Sequence, residues 1–125
     1  IVFGDWSSDV CSSDLVMGLY DSKRANVLGE YGGIGLLYQD HVWEKERNWG
    51  YVQYKSKEEA TEAYIRLAEM LKKLIPYCYS AAVYTQTTDV EVEINGLMTY
   101  DRKVIKLDEA RLRKVNQQVC QSLNK

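Results

Sequence analysis

An amphipathic helix with recognisable ends dominates the middle of this chain. Ser56 and Glu59 have the spacing of a capping box, in which each side chain accepts a hydrogen bond from the other residue's backbone N–H. Apolar residues then recur at steps of three and four, which predicts one buried stripe of Ala60, Tyr64, Leu67, Leu71 and Leu74. Pro76 ends the helix, because the residue before a proline avoids the helical conformation. The predicted helix therefore runs from Ser56 to Ile75 and must pack its apolar face against another layer.

Two short apolar runs flank this helix and predict strands. Ala25–Gly29 precedes a glycine cluster at Gly32, Gly33 and Gly35, and Ser80–Thr85 follows the helix. Alternating strands and helices predict β/α units around a parallel sheet, and therefore an α/β fold. The 125 residues suffice for one domain. Two such units do not close a (β/α)8 barrel, which needs eight strands and about 250 residues.

The remaining segments are predicted to form a loop, a hairpin and a second helix. Trp43–Tyr54 is rich in aromatic residues and has no period, so we predict an ordered loop. Asp89–Ile94 alternates acidic and β-branched residues, which predicts a strand with one solvated face. Asn95-Gly96 then suits a hairpin turn that needs positive φ. Asp108 is the predicted N-cap of the final helix.

Composition limits the class of protein and its partners. Hydrophobic residues make up 46% of the chain and charged residues 27%, which is typical of an ordered globular domain. The net charge of −2 argues against a nucleic-acid partner, and no apolar run approaches the roughly 20 residues of a membrane span. Three cysteines and one histidine have no metal-ligand spacing, so we expect no metal site. The location stays open, with periplasm and extracellular space among the possibilities.

Asp5–Leu15 lacks the pattern of a folded segment. It reads DWSSDVCSSDL, contains Ser-Ser-Asp twice and has neither helix nor strand periodicity. The string resembles a translated frame of a sequencing adapter, so we predict that residues 1–15 are an artefact and that 16–125 are native; a Ser/Asp-rich tail is the alternative. Without the three aspartates of this segment, 16 basic residues stand against 15 acidic residues, a net charge of +1. We then expect the true upstream sequence to be missing.

Glu30 is the first candidate for catalysis. It follows a short predicted strand and precedes a Gly-rich loop, and barrel enzymes carry their chemistry where strands end and loops begin. A structural carboxylate paired with Lys or Arg is the alternative. Glu91 and Glu93 share a predicted face, but charges there are more typical of a solvated hairpin edge than of an active site.

Three segments in series resemble glycoside hydrolase family 2, the β-galactosidase and β-glucuronidase group. Asn26–Gly33 resembles the segment around the nucleophile, Ala81–Glu91 resembles the eighth strand and its loop, and Asn95–Arg102 resembles the closing segment. The resemblance covers Ala25 to Asp108 and implies the last two β/α units of a TIM barrel, strands seven and eight. Val92 departs from the family, where glycine is common, which leaves the shape of this loop open.

The resemblance implies a retaining mechanism with two carboxyl groups, typically about 5–5.5 Å apart. Glu30 would be the nucleophile that forms a covalent glycosyl-enzyme with a β-linked sugar. The acid/base glutamate of the family lies on strand four, which would precede residue 16, so the chain is expected to lack it and to be inactive alone. The family needs no organic cofactor, and the missing N-terminal part of the same protein is the expected partner.

The resemblance also implies contacts with the carbohydrate substrate. Tyr84 lies where the family commonly has an aromatic floor to the sugar subsite; a core tyrosine is the alternative. The other implied substrate-binding residues are Tyr31, His41, Trp43 and Trp49. Structural roles stay open for His41 and Trp49. Two readings outside hydrolysis also remain: a non-catalytic carbohydrate-binding module, and a plain α/β interaction domain.

Overall fold

The computed structural model describes residues 23, 25–76 and 79–122. These residues form a mixed α/β fold, as predicted. In chain order the elements are β1 (Val27–Gly32), β2 (Ile34–Leu36), a 3-10 turn (Gln39–His41), β3 (Val52–Tyr54), α1 (Lys57–Leu74), β4 (Ala81–Thr85) and α2 (Glu109–Cys120). The predicted artefact at residues 1–15 lies outside the described residues, and so does the boundary at residue 16.

The strands pair in parallel, as the alternation of strands and helices predicted. β1 pairs with β4, and β2 pairs with β3, so the described residues contain two sheets of two strands each. Parallel neighbours need a crossover connection, and α1 lies in the chain between β1 and β4. The β/α unit is therefore confirmed. The complete barrel stays a prediction, since two strands cannot close one.

α1 begins at its predicted cap. The Ser56 hydroxyl accepts a hydrogen bond from the Glu59 N–H at 3.2 Å, which satisfies one free donor of the first turn. The Glu59 carboxylate accepts from the N–H of Lys55 at 2.9 Å rather than from that of Ser56. The capping box is thus displaced by one residue, and the predicted helix is confirmed.

α2 also begins at its predicted cap and packs against α1. The Asp108 carboxylate accepts from the Arg111 N–H at 3.0 Å. The Tyr64 hydroxyl of α1 donates to the Asn116 amide oxygen of α2 at 3.0 Å. The core lies where these helices meet β2, and its buried members are Ile34, Leu36, Ala60, Ala63, Tyr64, Ala68, Leu107, Leu112 and Val115.

The predicted hairpin after β4 is wrong. Val90 and Glu93 exchange backbone hydrogen bonds of 3.1 and 2.9 Å, so the chain reverses at Glu91, whose φ is +51°, and Val92. Asn95-Gly96 is not the turn, because both residues are buried and neither has positive φ. The alternating pattern of acidic and β-branched residues gave a wrong prediction here, since Asp89, which it assigned to a solvated face, is buried.

Two boundaries also differ from the sequence-based expectation. β1 starts later than predicted and runs through Glu30 to Gly32, so Glu30 belongs to the strand itself. The segment predicted as a loop ends in β3, which pairs with β2. Within the ranges that the structure describes, no helix has the length and apolar character needed to cross a membrane.

Candidate functional site

A β-bulge in β1 determines the direction of Glu30. Two residues of β1, Gly29–Glu30, lie opposite Val83 of β4, because the register shifts between Leu28 and Tyr31. Leu28 is buried, and the Tyr31 ring packs on the helix-covered side of the sheet. An extra residue between them sets Glu30 on the opposite side, where it is exposed. Bulges are frequent next to active sites because they redirect one side chain in this way.

Glu30 lies near the carboxyl ends of two parallel strands. Tyr31 pairs with Tyr84 and Gly32 pairs with Thr85, so β1 and β4 end at the same edge. Ligands of parallel sheets bind at this edge. Among the described residues, Glu30 has no ion pair or hydrogen bond from its side chain, so no basic partner supports the purely structural alternative. Tyr84 lies at the same end of the sheet as Glu30.

Two glycines turn the chain immediately after Glu30. Gly32 and Gly33 have φ of +114° and +70°, values that residues with a Cβ rarely adopt. A Cβ on Gly33 would also lie 2.8 Å from the Tyr51 ring, so this ring packs directly over the glycine. Tyr51 meets Trp49 edge to face at 5.2 Å, and both rings are exposed. The turn therefore brings an exposed aromatic pair to the strand that carries Glu30.

Asn95 fixes the backbone of this aromatic pair. Its side chain is fully buried, accepts a hydrogen bond from the Tyr51 N–H at 3.3 Å and donates one to Glu93 at 2.9 Å. Its carbonyl accepts from the Gln86 N–H at 3.3 Å. Gln86 follows β4, so one asparagine joins the aromatic segment to the end of the strand beside Glu30.

A buried ion pair holds the segment that contains Asn95. The Lys106 ammonium lies 2.7 Å from the Asp89 carboxylate and donates to the Ile94 carbonyl at 2.8 Å. The Gly96 N–H also donates to Asp89 at 2.7 Å. Burial raises the pKa of Asp89, and the hydrogen bond and charge of Lys106 oppose that rise. The Lys106 ammonium and Asp89 Oδ1 each have two partners inside this segment, so the contact is structural.

Tyr84 and Tyr31 lie on the helix-covered face of the sheet. The Tyr84 ring packs between Tyr31, at 5.4 Å, and Tyr64 of α1, at 5.1 Å. Burial raises the pKa of Tyr31 to about 12 and raises the pKa of Tyr84 further. The Tyr84 hydroxyl is buried and has no hydrogen-bond partner among the described residues. This packing favours the core alternative for Tyr84 over the floor of a sugar subsite.

His41 and Trp43 belong to a second grouping. His41 Nδ1 lies 2.8 Å from an Asp101 carboxylate oxygen, and the Trp43 ring meets Tyr100 edge to face at 5.5 Å. Asp101 also accepts from the Thr99 hydroxyl at 2.7 Å. The hydrogen bonds from Thr99 and then His41 hold the pKa of Asp101 well below its usual range.

The predicted site residues therefore divide between surfaces. Trp49 lies in the segment held beside the end of the Glu30 strand, His41 and Trp43 lie together on the second grouping, and Tyr31 and Tyr84 pack beneath α1. Sequence analysis assigned no site role to four residues that organise these surfaces: Tyr51, Asn95, Tyr100 and Asp101. The contacts of Asn95 with Tyr51 and of Asp101 with His41 span 44 and 60 positions, so no local pattern could have found them. Across the described ranges, no group of three or more His, Cys, Asp or Glu side chains could hold a metal ion.

Comparison with known proteins leaves the family unassigned. No protein-family model matches this chain, and no curated protein is similar enough to count as a match.

Proposed function

We propose that this chain is the C-terminal part of the catalytic barrel of a retaining glycoside hydrolase that resembles family 2. It acts on β-linked sugars through a covalent glycosyl-enzyme on Glu30. The observation that carries the proposal is the setting of this carboxylate. It is exposed, has no ion pair among the described residues, and projects from a bulge at the carboxyl end of a parallel strand. The exposed pair of Trp49 and Tyr51 packs over Gly33, which directly follows the same end of that strand.

The proposed reaction uses Glu30 in its carboxylate form. One carboxylate oxygen attacks the anomeric carbon, and the bond to the leaving oxygen breaks as an acid protonates that oxygen. The same acid, now a base, takes a proton from water, which attacks the anomeric carbon and releases Glu30. In the family this acid/base group belongs to strand four, so an upstream part of the protein supplies it. Trp49 and Tyr51 offer ring faces and edges to the apolar C–H surface of a sugar.

The bare face of the β1–β4 sheet supports the assignment to a barrel. Val27 and Val83 are each 53% exposed on this face, while α1 packs against the other face through the contact between the Tyr64 and Tyr84 rings. A parallel sheet is normally covered on both sides. In a barrel the bare face becomes the interior, which places these valines in the packed layers and Glu30 at the mouth.

The decisive experiment uses the intact enzyme, obtained by sequencing the genomic DNA upstream of codon 16. The proposal requires an open reading frame there that encodes further β/α units and an Asn-Glu pair. Glu30→Gln then lowers turnover of aryl β-glycosides by about 10⁴-fold or more, because the nucleophile is lost. Glu91→Gln, which changes an exposed glutamate outside the site, retains wild-type turnover.

Chemical rescue separates a nucleophile from a structural glutamate. In Glu30→Ala, azide can enter the vacated space, attack the anomeric carbon and displace the activated aryl group. A nucleophile at this position predicts an α-glycosyl azide, identified by NMR, because a single displacement inverts the β-glycoside. Wild-type activity of Glu30→Gln, or rescue that gives no α-azide, would contradict the proposal.

A second candidate, a non-catalytic carbohydrate-binding module, is favoured by the exposed rings. Trp43, Trp49 and Tyr51 are 62%, 42% and 54% exposed, and exposed aromatic platforms bind sugars without chemistry. In that case the intact protein binds β-linked oligosaccharides, hydrolyses none of them, and binds equally well after Glu30→Gln.

A further inference from the structure

The second grouping is a rigid and exposed arrangement that hydrolysis at Glu30 does not require. The Trp43 ring is 62% exposed, although it is braced edge to face by Tyr100 at 5.5 Å. Two residues before Trp43, His41 bonds Asp101, which directly follows Tyr100. The Trp43–Tyr100 and His41–Asp101 contacts join the same two segments of the chain. The indole ring is therefore fixed while most of its surface faces solvent. A large aromatic surface held in this way marks a binding site.

His41 supplies a polar group beside this surface. The low pKa of Asp101 keeps its side chain in the carboxylate form, which only accepts hydrogen bonds. His41 Nδ1 must therefore carry the hydrogen of the 2.8 Å contact. In the neutral ring Nε2 is then an acceptor, and it has no hydrogen bond within the described part of the chain. Asp101 is itself held by Thr99 and by the Lys103 N–H, so the ring is oriented in advance.

We propose that His41, Trp43 and Tyr100 form a second sugar subsite, which binds the leaving-group side of a β-linked oligosaccharide. This inference rests on the proposed function and deepens it, because it assigns oligosaccharides as the substrate class. The Trp43 indole stacks on the C–H face of a pyranose ring, and His41 Nε2 accepts a hydrogen bond from a sugar hydroxyl. This pairing of an apolar face with a directed acceptor is the chemistry that a sugar ring presents.

The loop connects this subsite with the surface beside Glu30. Trp43 and Trp49 are six residues apart on one loop, a span of at most about 21 Å even when fully extended. Trp49 lies in the aromatic pair packed over Gly33, which follows the Glu30 strand. The backbone positions of the two tryptophans are thus separated by a distance that a short oligosaccharide can cover. Removal of the Trp43 ring is therefore expected to slow the cleavage only of substrates whose leaving group is itself a sugar.

The test compares two substrates of the intact enzyme that share the same cleaved sugar. One is a β-linked trisaccharide, and the other is a glycosyl fluoride, whose leaving group is too small to reach the subsite. Trp43→Ala lowers the ratio of kcat/KM for the trisaccharide to kcat/KM for the fluoride by about tenfold, as expected for the loss of one stacking contact. Trp43→Phe restores part of this ratio. Asp101→Asn lowers it less, because Asp101 positions His41 without touching sugar.

Ile105→Ala is the matched control, since Ile105 is a 43% exposed apolar residue on the same segment without a ring contact. This variant keeps the wild-type ratio, and Tm is measured for every variant. Binding is followed separately by titrating the trisaccharide into Glu30→Gln, where Trp43→Ala weakens Kd about tenfold. If the protein binds the trisaccharide through Trp43 and cleaves neither substrate, the sugar contact of Trp43 stands, but the hydrolase proposal fails and with it the assignment to the leaving-group side. If both substrates are cleaved and Trp43→Ala leaves the ratio and Kd unchanged, the subsite is overturned.

Discussion

Tyr84 carries a hydroxyl into the packed layer between β4 and α1, where it finds no partner among the described residues. A buried polar group without a hydrogen bond costs about 1–3 kcal/mol. The ring itself fits well, since it packs on Tyr31 and Tyr64. The stability contribution of this residue therefore comes from the ring, and its oxygen opposes folding.

Tyr84→Phe is expected to raise the free energy of unfolding by about 1 kcal/mol, measured by urea denaturation of the intact enzyme. Burial raises the pKa of Tyr84 and that of Tyr31 in the folded state. The stability linked to them is present below about pH 10 and is lost as pH rises, because the unfolded phenols ionise first. Tyr84→Phe should therefore also reduce the loss of stability between about pH 10 and 12.

Tyr51→Phe is a suitable control for this experiment, because Tyr51 is exposed and should change stability by less than about 0.5 kcal/mol. Destabilisation by Tyr84→Phe would mean that the hydroxyl has a partner in the intact protein. A loss of sugar affinity without destabilisation would instead return Tyr84 to the substrate subsite.

For single residues, the sequence predicts those that act on their neighbours in the chain and misses those whose contacts lie far away in the chain. The Gly-rich segment predicted that the strand ends close to Glu30, although β1 runs on through Glu30 to Gly32. The turn assignment of Asn95 was wrong, because its amide bonds the backbone of Tyr51, 44 positions away. Sequence spacing carries no information about such a contact.

Among the elements, the helices were predictable because their ends are encoded within four residues. Ser56 and Asp108 each accept a hydrogen bond from the backbone N–H three residues later. The three-residue strands β2 and β3 were not predicted, because each is held by its neighbour rather than by its own pattern. The bulge that directs Glu30 was equally inaccessible, since it is defined only by the register with β4.

The turn at Glu91 and Val92 gives a test at the scale of an element. Glu91 has φ of +51°, a conformation that costs a residue with a Cβ and suits glycine. Glu91→Gly is therefore expected to raise the free energy of unfolding by about 0.5–1 kcal/mol. Val92→Gly, one residue on and without positive φ, should lower it, because glycine adds freedom to the unfolded chain.

Thermal unfolding of both variants in the intact enzyme provides the measurement. The comparison is internally controlled, since the same substitution occupies neighbouring positions of one turn. Opposite signs support the reversal at Glu91. Stabilisation by Val92→Gly alone would show that the turn has the shape common in the family rather than the shape described above.

At the scale of the whole molecule, the sheet of β1 and β4 leaves apolar surface uncovered. It has two strands, one helix-covered face and one bare apolar face that includes Val27 and Val83. Sheets this small need further cover to be stable. The α/β class could be predicted from the alternation of elements, but the barrel stays a prediction, because closure needs eight strands and the described residues contain two sheets of two strands each.

The chain expressed alone is expected to self-associate, because its bare apolar face has no cover, and to show no turnover of aryl β-glycosides, because the proposed function assigns the acid/base residue to an upstream part of the protein. Val83→Lys adds a charge to that face and should reduce association in sedimentation experiments. Val90→Lys, at an equally exposed position outside the sheet, should not. A monodisperse, active wild-type chain would contradict both expectations.

The contact between Asp89 and Lys106 joins residues 17 positions apart and is shut away from solvent. This ion pair closes the base of the segment formed by residues 89–106. Surface residues of this segment, such as Glu91, Tyr100 and Arg102, can change while the ion pair holds its two ends together. Under the proposed function, new sugar preferences could evolve on this segment without disturbing β1, the strand that carries Glu30.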